Sequence, residues 1–175
     1  MIDWNKIKIL ILDNDGVLTD GKIIYNNERL ESKNFSAKDG LGIKMLTFTP
    51  IKLAVITGRT SEILEQRCDD LGIEYLYQNI KNKFKLTEKL LEELGLTWEN
   101  VAYLGDDWND YPVFKRCQLA AVPADAFEDI ATKADLLLKR NGGEGAVREL
   151  IVMILKEQGI YEKVLEELIH HLENM

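Results

Sequence analysis

Asp13 and Asp15 stand two positions apart in Asp13-Asn14-Asp15-Gly16, which cuts short the apolar run Ile7–Leu12. A second acidic group, Gly105-Asp106-Asp107 followed by Asp110, closes the run Val101–Leu104, and Thr57-Gly58 closes the run Lys52–Ile56. Carboxylates gathered in a cleft repel one another unless a cation neutralises them, and oxygen-only ligands suit a hard ion such as Mg2+. A carboxylate beside a bound phosphoryl group can attack phosphorus, and a second one two residues on can protonate the leaving oxygen and later activate water. Phosphate also needs donors and positive charge. Thr57, the Gly58 N–H and Lys83, at the start of a helical stretch, are the candidates. Each piece alone has an ordinary explanation: a turn for Asp-Asn-Asp-Gly, a helix cap for the later aspartates, a solvated surface for Lys83. A calcium loop is disfavoured because Val17 stands where its next oxygen ligand would be. The joint occurrence at three strand ends in one chain is what points to a site.

Those residues meet only if the chain folds so that the three runs are parallel neighbours, since ligands of open parallel sheets sit beyond the carboxyl ends of the strands. The pattern supports this: short apolar runs, with lesser ones at Glu74–Tyr77, Leu119–Val122 and Ala134–Leu138, alternate with helical stretches. The helical stretches are Asp39–Phe48, Ser61–Leu71, Lys83–Leu94, Asn109–Lys115 and Glu144–Gln158. The expectation is an α/β fold, a Rossmann-like parallel sheet flanked by helices, forming a single domain over residues 1–175. Two pieces stand outside the rhythm. Residues 22–35 read as a β-hairpin turning at Asn26-Asn27, and the tail 159–175 places Ile160, Val164, Leu168 and Leu172 on one face of an amphipathic helix.

Composition excludes several other classes. Apolar residues at 46% and charged residues at 30% describe a soluble globular chain. A net charge of −8 disfavours nucleic acid as a partner. The apolar runs are too short to span a bilayer, and the first residues lack the layout of a secretion leader. Cys68 and Cys117, without paired spacing, suggest neither a disulfide framework nor a zinc site, so a cytoplasmic setting is expected. His170 and His171 are adjacent on the tail helix and point about 100° apart, which suits a solvated face better than a shared metal.

With these residues in order, the sequence resembles the haloacid dehalogenase (HAD) superfamily of phosphatases. The D-x-D-G motif matches Asp13–Gly16, the strand-end hydroxyl matches Thr57, the lysine matches Lys83, and G-D-D-x-x-D matches Gly105–Asp110. The resemblance covers about Lys6 to Glu149. Asp20-Gly21, Ile56-Thr57-Gly58-Arg59, Arg67-Cys68, Leu71-Gly72-Ile73 and Asn141-Gly142-Gly143-Glu144-Gly145-Ala146-Val147-Arg148-Glu149 are similar to its small capless branch. That branch includes 3-deoxy-D-manno-octulosonate 8-phosphate (Kdo 8-phosphate) phosphatases of lipopolysaccharide biosynthesis and the sialic-acid-type 9-phosphate phosphatases.

The resemblance implies Asp13 as nucleophile and Mg2+ ligand, and Asp15 as acid/base with its backbone carbonyl on the metal. It implies Asp106 as a metal ligand, Asp107 in water-mediated or outer contact, and Asp110 orienting Lys83. Thr57, Gly58 and Lys83 would hold the phosphoryl group. Arg59, Arg67 and Lys38 are the candidates for the substrate's sugar-acid portion. Arg59 favours Kdo 8-phosphate, because sialic-acid-type relatives carry an acidic residue there and an arginine fork can grip a carboxylate in two places. The resemblance also implies a homotetramer in which a neighbouring subunit covers the active site; since no cap domain closes the cleft, the hairpin 22–35 is the expected covering piece. A sialic-acid-type or broader sugar phosphatase is the nearest alternative. A signalling receiver and a catalytically dead oligomerisation module are remoter ones, the first because receivers place their acidic pair after the first strand and the second because no site residue is lost. The chain departs from the branch at Lys38, where many members carry Arg, at Thr47–Pro50 in place of a polar turn, and in its helical tail.

Overall fold

A computed structural model describes residues 2–174; Met1 and Met175, included in the expected domain and tail, lie outside the described residues. The strands are β1 (Ile9–Leu12), β2 (Ile24–Tyr25), β3 (Glu31–Ser32), β4 (Lys52–Ile56), β5 (Tyr75–Tyr77), β6 (Val101–Leu104), β7 (Leu119–Val122) and β8 (Leu136–Leu137). The helices are α1 (Ala37–Leu46), α2 (Glu62–Leu71), α3 (Lys83–Leu94), α4 (Tyr111–Phe114), α5 (Glu128–Ala131), α6 (Ala146–Glu157) and α7 (Tyr161–Glu173). A six-stranded parallel sheet runs β5-β4-β1-β6-β7-β8, and β2-β3 form a separate two-stranded ribbon. β1, β6 and β7 are buried along their whole length, as strands covered on both faces must be, which is why they read as unbroken apolar runs.

Alternate residues of β1 feed two cores. Leu10 and Leu12 pack with Ile43 of α1 and with Val147, Leu150, Ile151 and Ile154 of α6, while Ile9 and Ile11 pack with Leu90 and Leu91 of α3. The helices begin where side chains can take up free backbone N–H groups: Ser36 accepts from Asp39 N, Ser61 from Leu64 N and Asn82 from Lys85 N.

Register settles which strand ends meet. Leu12 lies opposite both Val55 and Leu104, so the next residue, Asp13, is level with the ends of β4 and β6, and its N–H bonds Leu104 O at 3.0 Å. The stretch expected to be helical over Asn109–Lys115 shortens to α4. Asp110 turns its carboxylate back onto its own loop, and Pro112 sits in the helix's first turn. The run Ala134–Leu138 narrows to β8 because Asp135 uses its carboxylate to bind Ala120 N at 2.9 Å. The hairpin turns over Asn26–Leu30 rather than at Asn26-Asn27 alone: Asn26 Oδ1 accepts from Glu28 N and Leu30 N, both at 2.9 Å, and Arg29 adopts φ +63°.

The glycine-rich segment before α6 has a packing reason. A Cβ on Gly142 would land on Gly16 O, and Gly143 N donates to Val17 O at 2.9 Å, so this segment lies against the backbone that carries Asp13 and Asp15. Asp39, buried on α1, accepts from Gly145 N at 3.1 Å and Arg148 N at 2.8 Å and thereby caps α6. Sequence reasoning missed this cap because the two partners are far apart in the chain. Asp39→Ala strands both N–H groups; the expected loss is about 2 kcal/mol, or about 4–8 °C in Tm by calorimetry. An unchanged Tm would mean that water satisfies those amides.

In the tail, Val164 and Leu168 are buried, Ile160 is half-buried and Leu172 is exposed. The Phe48 ring meets the His171 ring edge-on at 5.8 Å, so two of the three departures from the family pattern, the Thr47–Pro50 turn and the tail helix, pack against each other.

Candidate active site

At the carboxyl edge of the sheet lies an open cleft of about 270 Å³, lined by Asp13, Asp15, Gly21, Thr57, Gly58, Arg59, Asp106, Asp107 and Asn109. Asp13 leaves the end of β1 as a buried carboxylate. Its Oδ1 accepts from Asn14 N at 2.7 Å, and its Oδ2 pairs with Lys83 Nζ at 2.8 Å. Lys83, the first residue of α3 and only 3% exposed, also pairs with Asp110 Oδ1 at 2.7 Å. The bland expectation of a solvated lysine is thus excluded. Burial opposes its charge, but Asp110 and Asp13 outweigh that and hold the ammonium above its ordinary pKa.

Asp110, fully buried, has no capacity left. Oδ1 takes Lys83 and the Tyr103 hydroxyl, each at 2.7 Å, and Oδ2 takes Asp106 N at 3.1 Å and Asp107 N at 3.5 Å. A Cβ on Gly105 would land on this carboxylate, and one on Gly16 would land on that of Asp106. Gly16 is further committed by φ +82°, which β-carbons disfavour. The two motif glycines are therefore the spaces into which the acids fit.

Carboxylate oxygens of Asp13, Asp106 and Asp110 come within 4.8 Å of one another. Asp110 is saturated by donors, so the oxygens left to face a cation are those of Asp13 and Asp106. Burial, then the neighbouring Asp110, pushes Asp13 up to about 7 even though Lys83 opposes the shift. Burial, then Asp13, Asp110 and Asp107, pushes Asp106 up to about 8. Three crowded carboxylates sharing a single buried lysine fit a hard divalent cation, and the oxygen-only set suits Mg2+.

This crowding sets a pH dependence for the metal-free protein. Both carboxyls hold their protons more tightly folded than unfolded, where they titrate near 3.9, so the folded state binds the extra protons. Stability should therefore fall as pH rises from about 4 through about 7 and about 8. Adding Mg2+ should restore it, most strongly at the alkaline end. Thermal melts between pH 5 and pH 9, with EDTA or with excess Mg2+, check this; parallel curves would sink it.

Thr57 sits at the end of β4, buried, with its N–H on Tyr77 O at 2.9 Å and Arg59 N donating to its Oγ1 at 3.4 Å. Its hydroxyl proton is free to point into the cleft, beside the accessible backbone of Gly58. Asp107 is exposed at the rim and accepts from Trp108 N at 2.7 Å. Trp108 is not a lining residue; its indole N–H donates to Asp129 at 2.9 Å.

The three expected sugar-acid contacts separate. Arg59 lines the cleft. Arg67 lies outside it: Nη2 donates to Ser36 O at 3.3 Å and the guanidinium rests over the Phe35 ring, bracing the start of α1. Lys38 is exposed on another face, beside Arg140, Arg148 and Lys156. Helix geometry explains both displacements, since each side chain follows its own helix face and not the strand edge.

Two groups of residues went unforeseen. Tyr103 and Asn109 belong to the motif neighbourhood, yet only the fold shows the buried hydroxyl on Asp110 and the amide in the wall. Glu31 and Lys33, on β3 and just after it, reach Arg59 and Asp15 of their own chain at 2.9 and 2.7 Å. The hairpin, expected to serve a neighbour's site, thus sends its second strand to this one. Alternating charge at Glu31 and Lys33 was the available signal.

The comparisons with known proteins agree with this geometry. The model of the haloacid dehalogenase-like hydrolase family matches residues 73–151. The 3-deoxy-D-manno-octulosonate 8-phosphate phosphatase of Escherichia coli BL21-DE3 is 44% identical over 159 residues, covering 91% of this chain and 85% of that protein. The crystal structure of the phosphatase of that name from Yersinia pestis superposes with a TM-score of 0.89 at 41% identity, over 91% of this chain and 86% of that one. The Moraxella catarrhalis phosphatase, solved in complex with magnesium ion, phosphate ion and KDO, superposes with a TM-score of 0.90 at 35% identity, over 94% of each chain.

Proposed function

This chain belongs to the haloacid dehalogenase-like hydrolases, and on that footing we propose that it hydrolyses Kdo 8-phosphate to Kdo and inorganic phosphate with Mg2+ as cofactor. It is a phosphomonoesterase, so the receiver and inactive-module readings fall away. The observation that carries the reading is the meeting of Asp13, Thr57, Lys83 and Asp106 around one small cleft, with two carboxylates left to face a cation.

The roles follow from position. Thr57, the Gly58 N–H and Lys83 hold the phosphoryl oxygens. An Asp13 oxygen forms a bond to phosphorus as the bond to the sugar oxygen breaks, and Asp15 gives that oxygen its proton. Water then attacks phosphorus, Asp15 takes the water's proton, and Asp13 is released with inorganic phosphate. Asp13, Asp106 and the Asp15 backbone carbonyl would hold Mg2+, which supplies the positive charge that lets a carboxylate approach a phosphoryl group. Asp107 would contact the metal only through water from the rim, and Asp110 fixes Lys83.

The substrate assignment rests on Arg59, the only one of the three candidate cations that lines the cleft. Parallel assays on Kdo 8-phosphate and a sialic-acid-type 9-phosphate should favour the first, with activity lost in EDTA. Arg59→Glu should cut kcat/KM for Kdo 8-phosphate at least about tenfold. Equal efficiency on both sugars would overturn the assignment.

The assembly belongs to the same proposal: a homotetramer in which neighbours complete the cover of an otherwise open cleft. The hairpin supports it, because Ile23, Tyr25 and Leu30 are 54%, 60% and 58% exposed on a projecting ribbon. A fully active monomer by light scattering would remove it. Arg67 and Lys38 remain candidates for substrate contact only by way of such a neighbour. Among the described residues no helix is long and apolar enough to cross a membrane, and the two free cysteines fit the proposed cytoplasmic setting.

A further inference from the structure

The hairpin places a carboxylate of this chain on the very arginine that the proposed function reserves for the substrate. Glu31 Oε1 accepts from Arg59 Nη2 at 2.9 Å, and the same oxygen is 3.5 Å from Lys33 Nζ. Lys33, whose side chain is 1% exposed, pairs in turn with Asp15 Oδ1 at 2.7 Å. Arg59 Nη2 also donates to Tyr25 Oη at 3.2 Å, while Arg59 Nε, buried and without a hydrogen bond, faces Asp15 Oδ2 at 3.7 Å. Nη2, the nitrogen that both two-donor edges of the guanidinium share, is thus taken, while Nε is short of an acceptor.

A planar fork binds one carboxylate well, and two carboxylates crowded onto it repel each other. A sugar acid arriving at Arg59 must therefore either do without its full grip or move Glu31. Moving Glu31 has a ready destination. Lys33 Nζ lies within about an ångström of hydrogen-bonding distance to the same Glu31 oxygen, so the displaced carboxylate exchanges one cation for another and never becomes a buried unpaired charge. Lys33 is itself shielded from water, which keeps that second ion pair worthwhile.

We propose that Glu31 is a specificity-determining residue that occupies, in the free enzyme, the place on Arg59 taken by the substrate's carboxylate, and that Lys33 receives it on displacement. This rests on the reading of the substrate as a sugar-acid phosphate and of Arg59 as its carboxylate partner. Phosphate esters without a carboxylate leave Glu31 where it is, so the occupant acts as a filter: ligands too weakly acidic to displace it gain nothing from Arg59.

The test compares Kdo 8-phosphate with p-nitrophenyl phosphate, which has no carboxylate, in the wild-type enzyme and in Glu31→Gln with saturating Mg2+. Removing the resident charge should lower the ratio of KM for Kdo 8-phosphate to KM for p-nitrophenyl phosphate by roughly three- to tenfold. Normalising to the second ester removes any general gain in anion attraction. Calorimetric titration with Kdo and with its neutral methyl ester provides a readout independent of turnover. Kdo should bind Glu31→Gln more tightly than wild type by a similar factor, and the ester should not. An unchanged or raised KM ratio, or equal gains for Kdo and its ester, overturns the proposal while wild-type turnover of Kdo 8-phosphate keeps the function intact. Absence of that wild-type turnover overturns both.

Discussion

Asp13→Asn is expected to reduce phosphate release from Kdo 8-phosphate by at least ~10⁴-fold, the scale on which removing a covalent nucleophile acts. An amide cannot form the acyl-phosphate, and no other carboxylate stands in its place: Asp110 is filled by Lys83, Tyr103 and Asp106 N, and Asp15 is drawn to Lys33. The same change should leave the fold intact or stabilise the metal-free protein near pH 8, because it removes a buried charge from a crowded acidic set. Loss of activity with preserved melting behaviour separates a chemical role from a structural one. Residual turnover above about a hundredth of wild type, in a preparation free of wild-type enzyme, would show that another group attacks phosphorus.

Lys83→Met should be as damaging to activity in kind but different in its signature. Lys83 is the shared cation of Asp13 and Asp110, at 2.8 and 2.7 Å, and is 3% exposed. Its removal leaves two buried carboxylates facing each other across an apolar side chain, an arrangement that costs about 3–5 kcal/mol in comparable buried pairs. Phosphoryl transfer also loses a donor aimed at developing charge, worth roughly 10²–10³ in kcat. Stability and activity should therefore fall together, and the stability loss should shrink as pH is lowered, since protonation of Asp13 relieves the repulsion. Stability measured by urea at pH 5.5 and pH 8 checks this. Loss independent of pH would mean that packing, not charge, is the reason for the lysine. Lys83→Arg should fail to restore kcat, because the planar guanidinium cannot replace a compact ammonium held between two oxygens.

Much of this site is legible in the order of residues. Asp13, Thr57 and Asp106 announce themselves because each ends an apolar run, and a parallel sheet aligns such ends whatever the details of its loops. β4, β6, β7 and α3 can be read to the residue, since clean apolar runs stopped by Thr-Gly, Gly or Pro, and a helix bounded by a capping Asn and a Gly, leave little freedom in where an element begins or ends. The elements read less well, α4 and β8, are those where a polar side chain folds back on the backbone: Asp110 onto Asp106 N, Asp135 onto Ala120 N. Such bonds depend on positions that local patterning does not encode.

The linear chain thus carries the chemistry: an acidic, hydroxyl and lysine set at three strand ends, suited to a hard cation and a phosphoryl group. How the charges are shared is a property of the folded molecule alone. Folding gives Asp110 wholly to Lys83, Tyr103 and the motif backbone, leaves Asp13 and Asp106 with oxygens available to a cation, carries Arg67 and Lys38 out of the cleft, and brings Glu31 and Lys33 onto Arg59 and Asp15 of its wall. The reason is physical. Which residues end a strand is fixed by local chain preferences. Which ion meets which depends instead on side-chain directions and on short distances between segments remote in sequence, and Coulomb interactions in a buried site turn on those distances.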